Sequence, residues 1–302
     1  MFAYHDVGVR CLRVLLAADV DVALVVTHDD DPAENIWYGS VRSLCEEHHI
    51  PTAVFTDSSD PALLAIVRAK RPDFIFSFYY RHMLPVSILD EAPAYNMHGS
   101  LLPQFRGRAP VNWAVLNGAT QTGATLHEMT AKPDAGAIVA QTAVPILPDD
   151  TAFEVFAKVT VAAEQTLWGV LPALLQGVAP RNDNDLTQGA YFGGRKPADG
   201  FIDWRRDAQS VYNLHRAVAP PYPGAYTQVD GVTYTLVRAR LLPRFASDLA
   251  AALAPGLAVL DGDIVGMCGD GRMLAISALR ADGVLVSPEQ LRQALANVAS
   301  TN

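Results

Sequence analysis

Cysteine, long apolar runs and clusters of basic residues are all scarce in this chain of 302 residues. Its three cysteines, Cys11, Cys45 and Cys268, are odd in number and never form a C-x-x-C pair. This favours buried thiols in a reducing compartment over disulfides or a structural zinc site. No apolar run reaches the roughly 18 residues of a membrane span, and no signal peptide opens the sequence. We therefore expect a cytoplasmic protein without a membrane span.

Basic residues are also in the minority. The chain carries 23 Lys and Arg against 32 Asp and Glu, for a formal net charge of −9, so we expect no nucleic-acid partner. The motifs H-E-x-x-H, G-x-S-x-G and G-x-G-x-x-G do not occur, which argues against a zinc protease, a serine hydrolase and a nicotinamide site. The acidic stretch THDDDP at 27–32 could hold a hard cation, but it is more typical of a solvated loop before a helix. We expect no metal.

Half of the residues are hydrophobic and 18% are charged, which is ordinary for a soluble globular protein. In the first half, short β-branched or aromatic runs alternate with helical patterns. This alternation predicts an α/β fold with a mainly parallel, Rossmann-like sheet. The predicted strands are 22–27, 52–55, 74–79, 94–97, 124–129 and 137–141, and the predicted helices are 9–18, 40–48, 61–69, 110–117 and 151–175.

The polar, glycine-rich stretch 181–197 marks a change of pattern. Beyond it, alternating runs are broken by Asp-Gly pairs, which is typical of antiparallel hairpins, and a last helix is expected near 288–296. We predict an N-terminal α/β domain over 1–185, a linker over 186–203 and a β-rich, OB-like domain over 204–302. The first strand-like run, Met1–Tyr4, is shorter than the usual five or six residues, so we expect the natural chain to begin further upstream.

The stretch YNMHGSLLPQFRGRAP at 95–110 concentrates the chemistry of the chain. Asn96 and His98 end a predicted strand two residues apart, so their side chains point to one face, beside the crevice where open α/β sheets bind ligands. Taken alone, the pair is more typical of a turn asparagine and a structural histidine. The loop that follows is rich in Gly and Pro and holds Arg106 and Arg108, which favours an anionic or planar ligand.

This stretch resembles the N-H-S-L-L-P-x-x-R-G signature of the folate-dependent formyltransferases, which act on glycinamide ribonucleotide, methionyl-tRNA and sugar nucleotides. The resemblance continues through TGATLHEMTAKPDAGAIVAQTAVPI, GRKPADGFIDW and NLHRAVAPPYPGAY, so it covers essentially the whole chain. It implies a Rossmann-like catalytic domain followed by an OB-like domain. It also implies N10-formyltetrahydrofolate as the co-substrate.

The resemblance assigns three catalytic roles. Asn96 would donate a hydrogen bond to the oxyanion of the tetrahedral intermediate, and His98 would carry the proton. Asp134 would raise the pKa of the His98 imidazole, since a nearby carboxylate favours the charged ring. By itself, Asp134 is more typical of an ordinary turn residue in KPDAG.

The resemblance also implies a folate site and, less clearly, a sugar-nucleotide site. The implied folate contacts are His82, Met83, Leu84, Arg108, Thr130, Ala131, Lys132, Pro133 and Asp134. The segment between His82 and Asn96 is about two residues shorter than in the sugar-nucleotide formyltransferase that the chain resembles. Candidates for the sugar-nucleotide pocket, which equally suit core or surface positions, are Tyr4, Trp37, Tyr38 and Arg195.

Within the family, the chain is most similar to the formyltransferase half of the bifunctional polymyxin-resistance enzyme acting on UDP-4-amino-4-deoxy-L-arabinose. The segments that carry this resemblance are FAYHDVG, WYGSV, FSFYYRH, GRAPVNW and PDAGAIVAQ. This implies a stand-alone transferase in lipid A modification and resistance to cationic peptides. Two alternatives involve the same formyl transfer to a different acceptor. One is a formyltransferase for another amino nucleotide sugar, such as a dTDP-linked one, and the other is a methionyl-tRNA formyltransferase, which would need a basic surface to bind tRNA. A third is a folate- or nucleotide-binding module without catalysis. The oligomeric state is left open.

Overall fold

The chain folds into two compact units. The computed structural model describes residues 1–32, 34–245 and 254–301. The first unit comprises Met1–Val111, Gln121–Pro145 and Phe156–Gly194, and the second comprises Asn112–Thr120, Ile146–Val155 and Arg195–Asn302. Residues 246–253 and 302 of the predicted OB-like domain lie outside the described residues. The bounds 1–185, 186–203 and 204–302 stay a prediction.

The first unit is built on a seven-stranded sheet. Its strands and those of a small two-stranded sheet are β1 (Phe2–Ala3), β2 (Val25–Thr27), β3 (Thr52–Val54), β4 (Ile75–Phe78), β5 (Ala94–His98), β6 (Arg106–Gly107), β7 (Gln121–Glu128), β8 (Ile138–Pro145) and β9 (Tyr191–Phe192). The seven-stranded sheet has the order β3-β2-β1-β4-β5-β7-β8. The first five of these are parallel, whereas β7 and β8 run antiparallel. This confirms the mainly parallel, Rossmann-like prediction.

The helices begin at recognisable sequence signals. They are α1 (His5–Ala17), α2 (Val41–Glu47), α3 (Pro61–Lys70), α4 (Val86–Leu89), α5 (Pro110–Leu116), α6 (Ala152–Leu175), α7 (Ala208–Val218) and α8 (Pro288–Thr301). The Asp60 side chain accepts from the Ala62 N–H ahead of a proline at the first turn of α3. Thr151 and Glu154 form a reciprocal capping box at α6. None of the helices in the described ranges is both long and apolar enough to cross a membrane.

The core of the first unit lies against its central parallel strands. Every residue of β2 and β4 is buried, as expected for strands covered on both faces. One apolar cluster joins the strands to α3 and α4, through residues that include Phe2, Leu63, Ile75 and Ile88. Burying each such side chain contributes about 1.5–3 kcal/mol. This packing fixes β4 beside β5, the strand that ends in His98.

The second unit is an antiparallel β structure. Its strands are β10 (Ala225–Val229), β11 (Val232–Phe245), β12 (Gly256–Leu260), β13 (Asp263–Met267), β14 (Arg272–Ala281) and β15 (Val284–Leu285). They form a sheet in the order β10-β11-β14-β13-β12, with β15 paired to β14. The Asp-Gly pairs at 230–231, 261–262 and 282–283 all have positive φ at both residues, the geometry of two-residue hairpin turns. The hairpin prediction is confirmed.

The structure also contains elements that were not predicted from the sequence, among them α4, α7 and β9. Helix α7 lies in NLHRAVAPP and the residues before it, where no helix was predicted. Its N-terminus is capped by the Asp207 side chain, which accepts from the Ser210 N–H, and its apolar residues are buried. The predicted linker over 186–203 contains β9, which pairs with β6, and a 3₁₀ turn at Pro197–Gly200. Thus part of this polar segment completes the first unit.

Candidate active site

Strand β5 carries Asn96 and His98 to one face of the sheet. It lies between β4, to which it is parallel, and β7, to which it is antiparallel. The register places Asn96 directly opposite His127 on β7. Because alternate residues of a strand share a face and cross-strand partners face the same way, these three side chains lie on the same side of the sheet. Strand pairing therefore places these three polar side chains next to one another on one face of the sheet.

His98 is buried and its ring is fixed by one hydrogen bond. Only 5% of the residue is exposed, and Nε2 lies 2.9 Å from the carbonyl oxygen of Phe105. A carbonyl can only accept, so Nε2 carries the proton. In the neutral ring the basic nitrogen is therefore Nδ1, which lies 3.5 Å from Oδ1 of Asp134.

The loop after β5 is held in an unusual backbone conformation. Phe105 and Ala109 have φ values of 53° and 51°, in the left-handed region that non-glycine residues seldom adopt. Gly107 has φ of 99°, and a Cβ there would come within 2.1 Å of the Phe192 carbonyl oxygen on β9. The Gly107 N–H donates to Oδ2 of Asp134 at 2.7 Å. Strain of this kind persists where the surrounding contacts impose it, commonly at functional sites.

Asp134 is brought to His98 by the loop that joins β7 to β8. Its own φ is 50°. Two residues on, a Cβ at Gly136 would come within 2.0 Å of the Glu128 carbonyl oxygen, so only glycine lets the loop turn this closely over the end of β7. The Asn184 side-chain amide donates to the carbonyl oxygens of both Asp134 and Gly136, at 3.0 and 3.1 Å. The carboxylate is thus anchored at its backbone and at Oδ2.

The charges of the site are set by burial and by these contacts. Burial tends to raise the pKa of Asp134, but the His98 and His127 rings and the Gly107 N–H outweigh it and lower that pKa to about 2. Burial lowers the pKa of His98, and the attraction of Asp134 offsets this only in part. Asp134 thus raises the His98 pKa as expected, but the net pKa still lies below its ordinary value because burial has the larger effect. At neutral pH the pair is carboxylate and neutral imidazole.

His127 is the residue that sequence reasoning missed. It is 1% exposed. Its Nε2 lies 3.1 Å from the Asn96 amide nitrogen and 3.6 Å from Oδ1 of Asp134. It thereby joins Asn96 to the His98–Asp134 pair. The available signal was a polar residue inside the apolar run ATLHEM, but only the pairing of β7 with β5 reveals its neighbours.

The residues implied in folate binding divide into three places. His82 and Met83 are exposed after β4, whereas Leu84 is buried in the apolar cluster. The Arg108 side chain is exposed, and its N–H donates to the Phe192 carbonyl oxygen at 2.9 Å. The exposed residues Thr130, Ala131 and Lys132, with the half-buried Pro133, belong to the loop that carries Asp134.

The candidate sugar-nucleotide residues are packed rather than open. The Tyr4 hydroxyl donates to Asp30 at 2.6 Å and lies 2.8 Å from the Tyr38 hydroxyl. His5 stacks on Tyr38, with ring centroids 3.7 Å apart, and meets Trp37 edge-on.

Arg195 belongs to the second unit, where it lies over the Trp113 ring. In the acidic loop, Asp29 pairs with Arg42. Within the described part of the chain, no three His, Cys, Asp or Glu side chains are grouped to hold a metal.

A half-buried amide, a buried imidazole and a half-buried carboxylate meet beside the end of a central strand of a Rossmann-like sheet. Groups of these types can transfer protons and stabilise an oxyanion. Family comparison makes this specific. Residues 14–171, more than half of the chain, match the formyl transferase family, and residues 195–292 match the formyl transferase C-terminal domain. The chain belongs to the formyl transferase family and is a formyl-transferring enzyme.

Solved structures share this fold. An N-formyltransferase from Helicobacter canadensis, solved with folinic acid and dTDP-3-aminofucose, is 17% identical, with a TM-score of 0.71 over 91% of this chain and 97% of that one. A sugar 3N-formyltransferase solved with dTDP and 5-N-formyl-THF is 16% identical, with a TM-score of 0.72 over 91% and 95%. A 4-N formyltransferase from Francisella tularensis is 21% identical, with a TM-score of 0.61 over 76% and 92%. At these identities the likeness shows the fold.

Proposed function

We propose that this enzyme transfers the formyl group of N10-formyltetrahydrofolate to the amino group of a nucleotide-linked amino sugar. The observation that carries the proposal is the meeting of Asn96, His98 and Asp134 at the end of β5, with His98 and Asp134 3.5 Å apart. Structures of the same fold were solved with folinic acid and dTDP-3-aminofucose, and with dTDP and 5-N-formyl-THF, which supports both substrate classes.

The first chemical step is attack of the sugar amine on the formyl carbon. A C–N bond forms, and the carbonyl π electrons move to the oxygen, giving a tetrahedral oxyanion. The Asn96 amide N–H donates to that oxygen. One preorganised donor of this kind is commonly worth roughly 2.7–4 kcal/mol of transition-state stabilisation. The carbonyl re-forms when the bond from carbon to N10 breaks.

His98 and Asp134 move the proton that this exchange requires. Because the pKa of His98 is lowered by burial, the ring is neutral at pH 7 and can take a proton from the attacking amine. Its bare nitrogen is Nδ1, on the side of the ionised Asp134. A proton accepted there lies between the ring and the carboxylate, which stabilises the imidazolium until N10 takes the proton on leaving.

The folate is proposed to lie against His82, Met83 and the backbone of Leu84, near Arg108 and the loop Thr130–Asp134. Met83 is 56% exposed and Arg108 is exposed, so both are available to a ligand. The backbone N–H and C=O groups of these segments would supply donors and acceptors for a pterin.

For the acceptor we propose UDP-4-amino-4-deoxy-L-arabinose, which would place the enzyme in lipid A modification and resistance to cationic peptides. This rests on the resemblance of FAYHDVG, WYGSV and PDAGAIVAQ. A dTDP-linked amino sugar is the second candidate, favoured by the dTDP ligands of the similar structures. Methionyl-tRNA is disfavoured by the balance of 23 basic against 32 acidic residues.

The test is a formylation assay with one donor and several acceptors. N10-formyltetrahydrofolate is supplied with UDP-4-amino-4-deoxy-L-arabinose, dTDP-3-amino and dTDP-4-amino sugars, or charged initiator tRNA, and both tetrahydrofolate release and the formamide product are measured. We expect formylation of a nucleotide sugar, with the UDP sugar giving the highest kcat/KM, and formylation about 10²–10⁴ times slower with a His98→Ala control. Turnover of the tRNA alone, or of no acceptor by the folded wild type, would refute the proposal.

A further inference from the structure

The side-chain amide of Asn96 is held by His127. The Asn96 amide nitrogen lies 3.1 Å from Nε2 of His127, and β5 and β7 place these residues directly opposite each other. His127 is 1% exposed, so water does not compete for this contact. Nε2 also lies 3.6 Å from Oδ1 of Asp134, a longer contact than the 3.1 Å to the Asn96 amide nitrogen.

The tautomer of His127 follows from its other nitrogen. Nδ1 lies 2.8 Å from the backbone carbonyl oxygen of Glu128, and a carbonyl can only accept. Nδ1 therefore carries the proton, and in the neutral ring Nε2 is a bare acceptor. A bare nitrogen attracts the NH₂ end of the asparagine amide and repels its oxygen. The ring therefore selects one of the two amide orientations of Asn96.

This selection matters because the two amide orientations have opposite chemistry at an oxyanion. With Nδ2 turned toward His127, one N–H of that nitrogen is used by the ring, and the second N–H remains as a donor on the same side of the amide. In the flipped orientation the carbonyl oxygen would take its place, and an oxygen acceptor would repel a developing oxyanion. The rate of the proposed reaction thus depends on which end of the amide is held.

We infer that His127 is a positioning residue that orients the Asn96 amide with its N–H toward the formyl oxygen. The inference rests on the proposed function for the identity of that oxygen. His127 itself touches no reacting atom in this scheme: its Nε2 acts through Asn96, and its Nδ1 anchors the ring to the backbone of β7. A purely structural histidine at this place would affect stability without any link to the chemistry of Asn96.

The variant series compares His127→Leu with His127→Gln. Leucine removes the acceptor, and the side-chain oxygen of glutamine can replace it near the Nε2 position. We expect kcat to fall about 10- to 100-fold in His127→Leu, the size expected for a misdirected group near the reacting centre, with KM for both substrates within about twofold. His127→Gln should recover most of this loss. The matched control is His215→Leu, another buried histidine, 3% exposed in the second unit, which should leave kcat unchanged.

A double-mutant cycle separates positioning from packing. In an Asn96→Ala background, His127→Leu should cause no further loss of kcat, because the group it orients is already gone. An equal loss of kcat in both backgrounds, or a His127→Leu enzyme with wild-type kcat, would overturn the inference. Thermal unfolding of each variant shows whether the chain is folded.

A spectroscopic measurement tests the tautomer without turnover. In ¹⁵N NMR of the wild-type chain, the His127 ring should show a protonated Nδ1 and a bare Nε2, and the Nε2 resonance should shift in Asn96→Ala, which removes its donor. A protonated Nε2 in the neutral ring would contradict the inference even in an enzyme whose acceptor is different. If the tautomer is as expected and the wild type formylates no sugar nucleotide, the proposed function fails and the orientation of Asn96 stands.

Discussion

Replacing Asp134 with Asn isolates the charge of the carboxylate from its shape. The amide of the variant can still accept the Gly107 N–H through its oxygen, the contact that Oδ2 makes at 2.7 Å, so the loop keeps its anchor. What disappears is a negative charge 3.5 Å from Nδ1 of His98. At an effective dielectric constant of about 20, a unit charge at that distance stabilises an imidazolium by about 5 kcal/mol. The amide dipole restores part of this, so we expect kcat to fall about 10³-fold.

The assay is steady-state kinetics at pH 7.5, with thermal unfolding measured on the same protein. KM for both substrates should change little, because the lost interaction forms only when His98 becomes charged. The control is Asp203→Asn, which removes an exposed carboxylate paired with Arg205 and should leave kcat unchanged. A folded Asp134→Asn enzyme that keeps a tenth or more of the wild-type kcat would refute the electrostatic role of Asp134.

Four further outcomes follow from the site and the fold. Asn96→Ala should lower kcat by about 10²–10³-fold; a steady-state effect confined to KM would contradict its role as an oxyanion donor. Arg108→Ala should raise KM for N10-formyltetrahydrofolate while kcat changes by less than about threefold, and an unchanged KM would remove it from the proposed folate site. Gly136→Ala should lower kcat, because a Cβ at this position would lie 2.0 Å from the backbone of Glu128. Gly169→Ala, where a Cβ would meet open space, should leave kcat unchanged. Equal steady-state kcat values for the two variants would disprove this. Burial lowers the pKa of His215 to about 4, below the unfolded value of roughly 6.5. Because the unfolded chain therefore binds the proton first, the free energy of unfolding should fall as the pH drops from about 6.5 toward 4, and His215 contributes about 2 kcal/mol of this loss at pH 5. Equal free energies of unfolding in urea at pH 7.5 and pH 5 would contradict this.

The sequence patterns predict local structure well where one residue type determines the geometry. The Asp-Gly pairs at 230–231 and 282–283 set positive φ at both turn residues, and the hairpins follow. Helix α7 was not predicted from the sequence, because its apolar residues are interspersed with polar residues that are also buried. Among these buried polar residues are Asn213, His215 and Arg216. Nothing in the local pattern shows that these polar side chains are enclosed.

The site was predictable only in part, for a physical reason. The spacing of two between Asn96 and His98 is a local fact, and the strand period places both on one face. The approach of Asp134 depends on a loop that turns closely at Gly136, and only the family resemblance suggested it. The place of His127 depends on the register between β5 and β7, which the sequence of neither strand determines. The direction of the His98 pKa depends on burial, which spacing does not reveal.

Transfer of a labelled formyl group tests whether His98 catalyses formylation of a sugar amine. N10-[¹³C]formyltetrahydrofolate is mixed with the full chain and UDP-4-amino-4-deoxy-L-arabinose or a dTDP-amino sugar, and the ¹³C signal is followed under single-turnover conditions in the wild type and in His98→Ala. We expect the label to appear as a sugar formamide, about 10²–10⁴ times more slowly in the variant. Labelled formate without formamide, or equal rates in the two folded proteins, would contradict it.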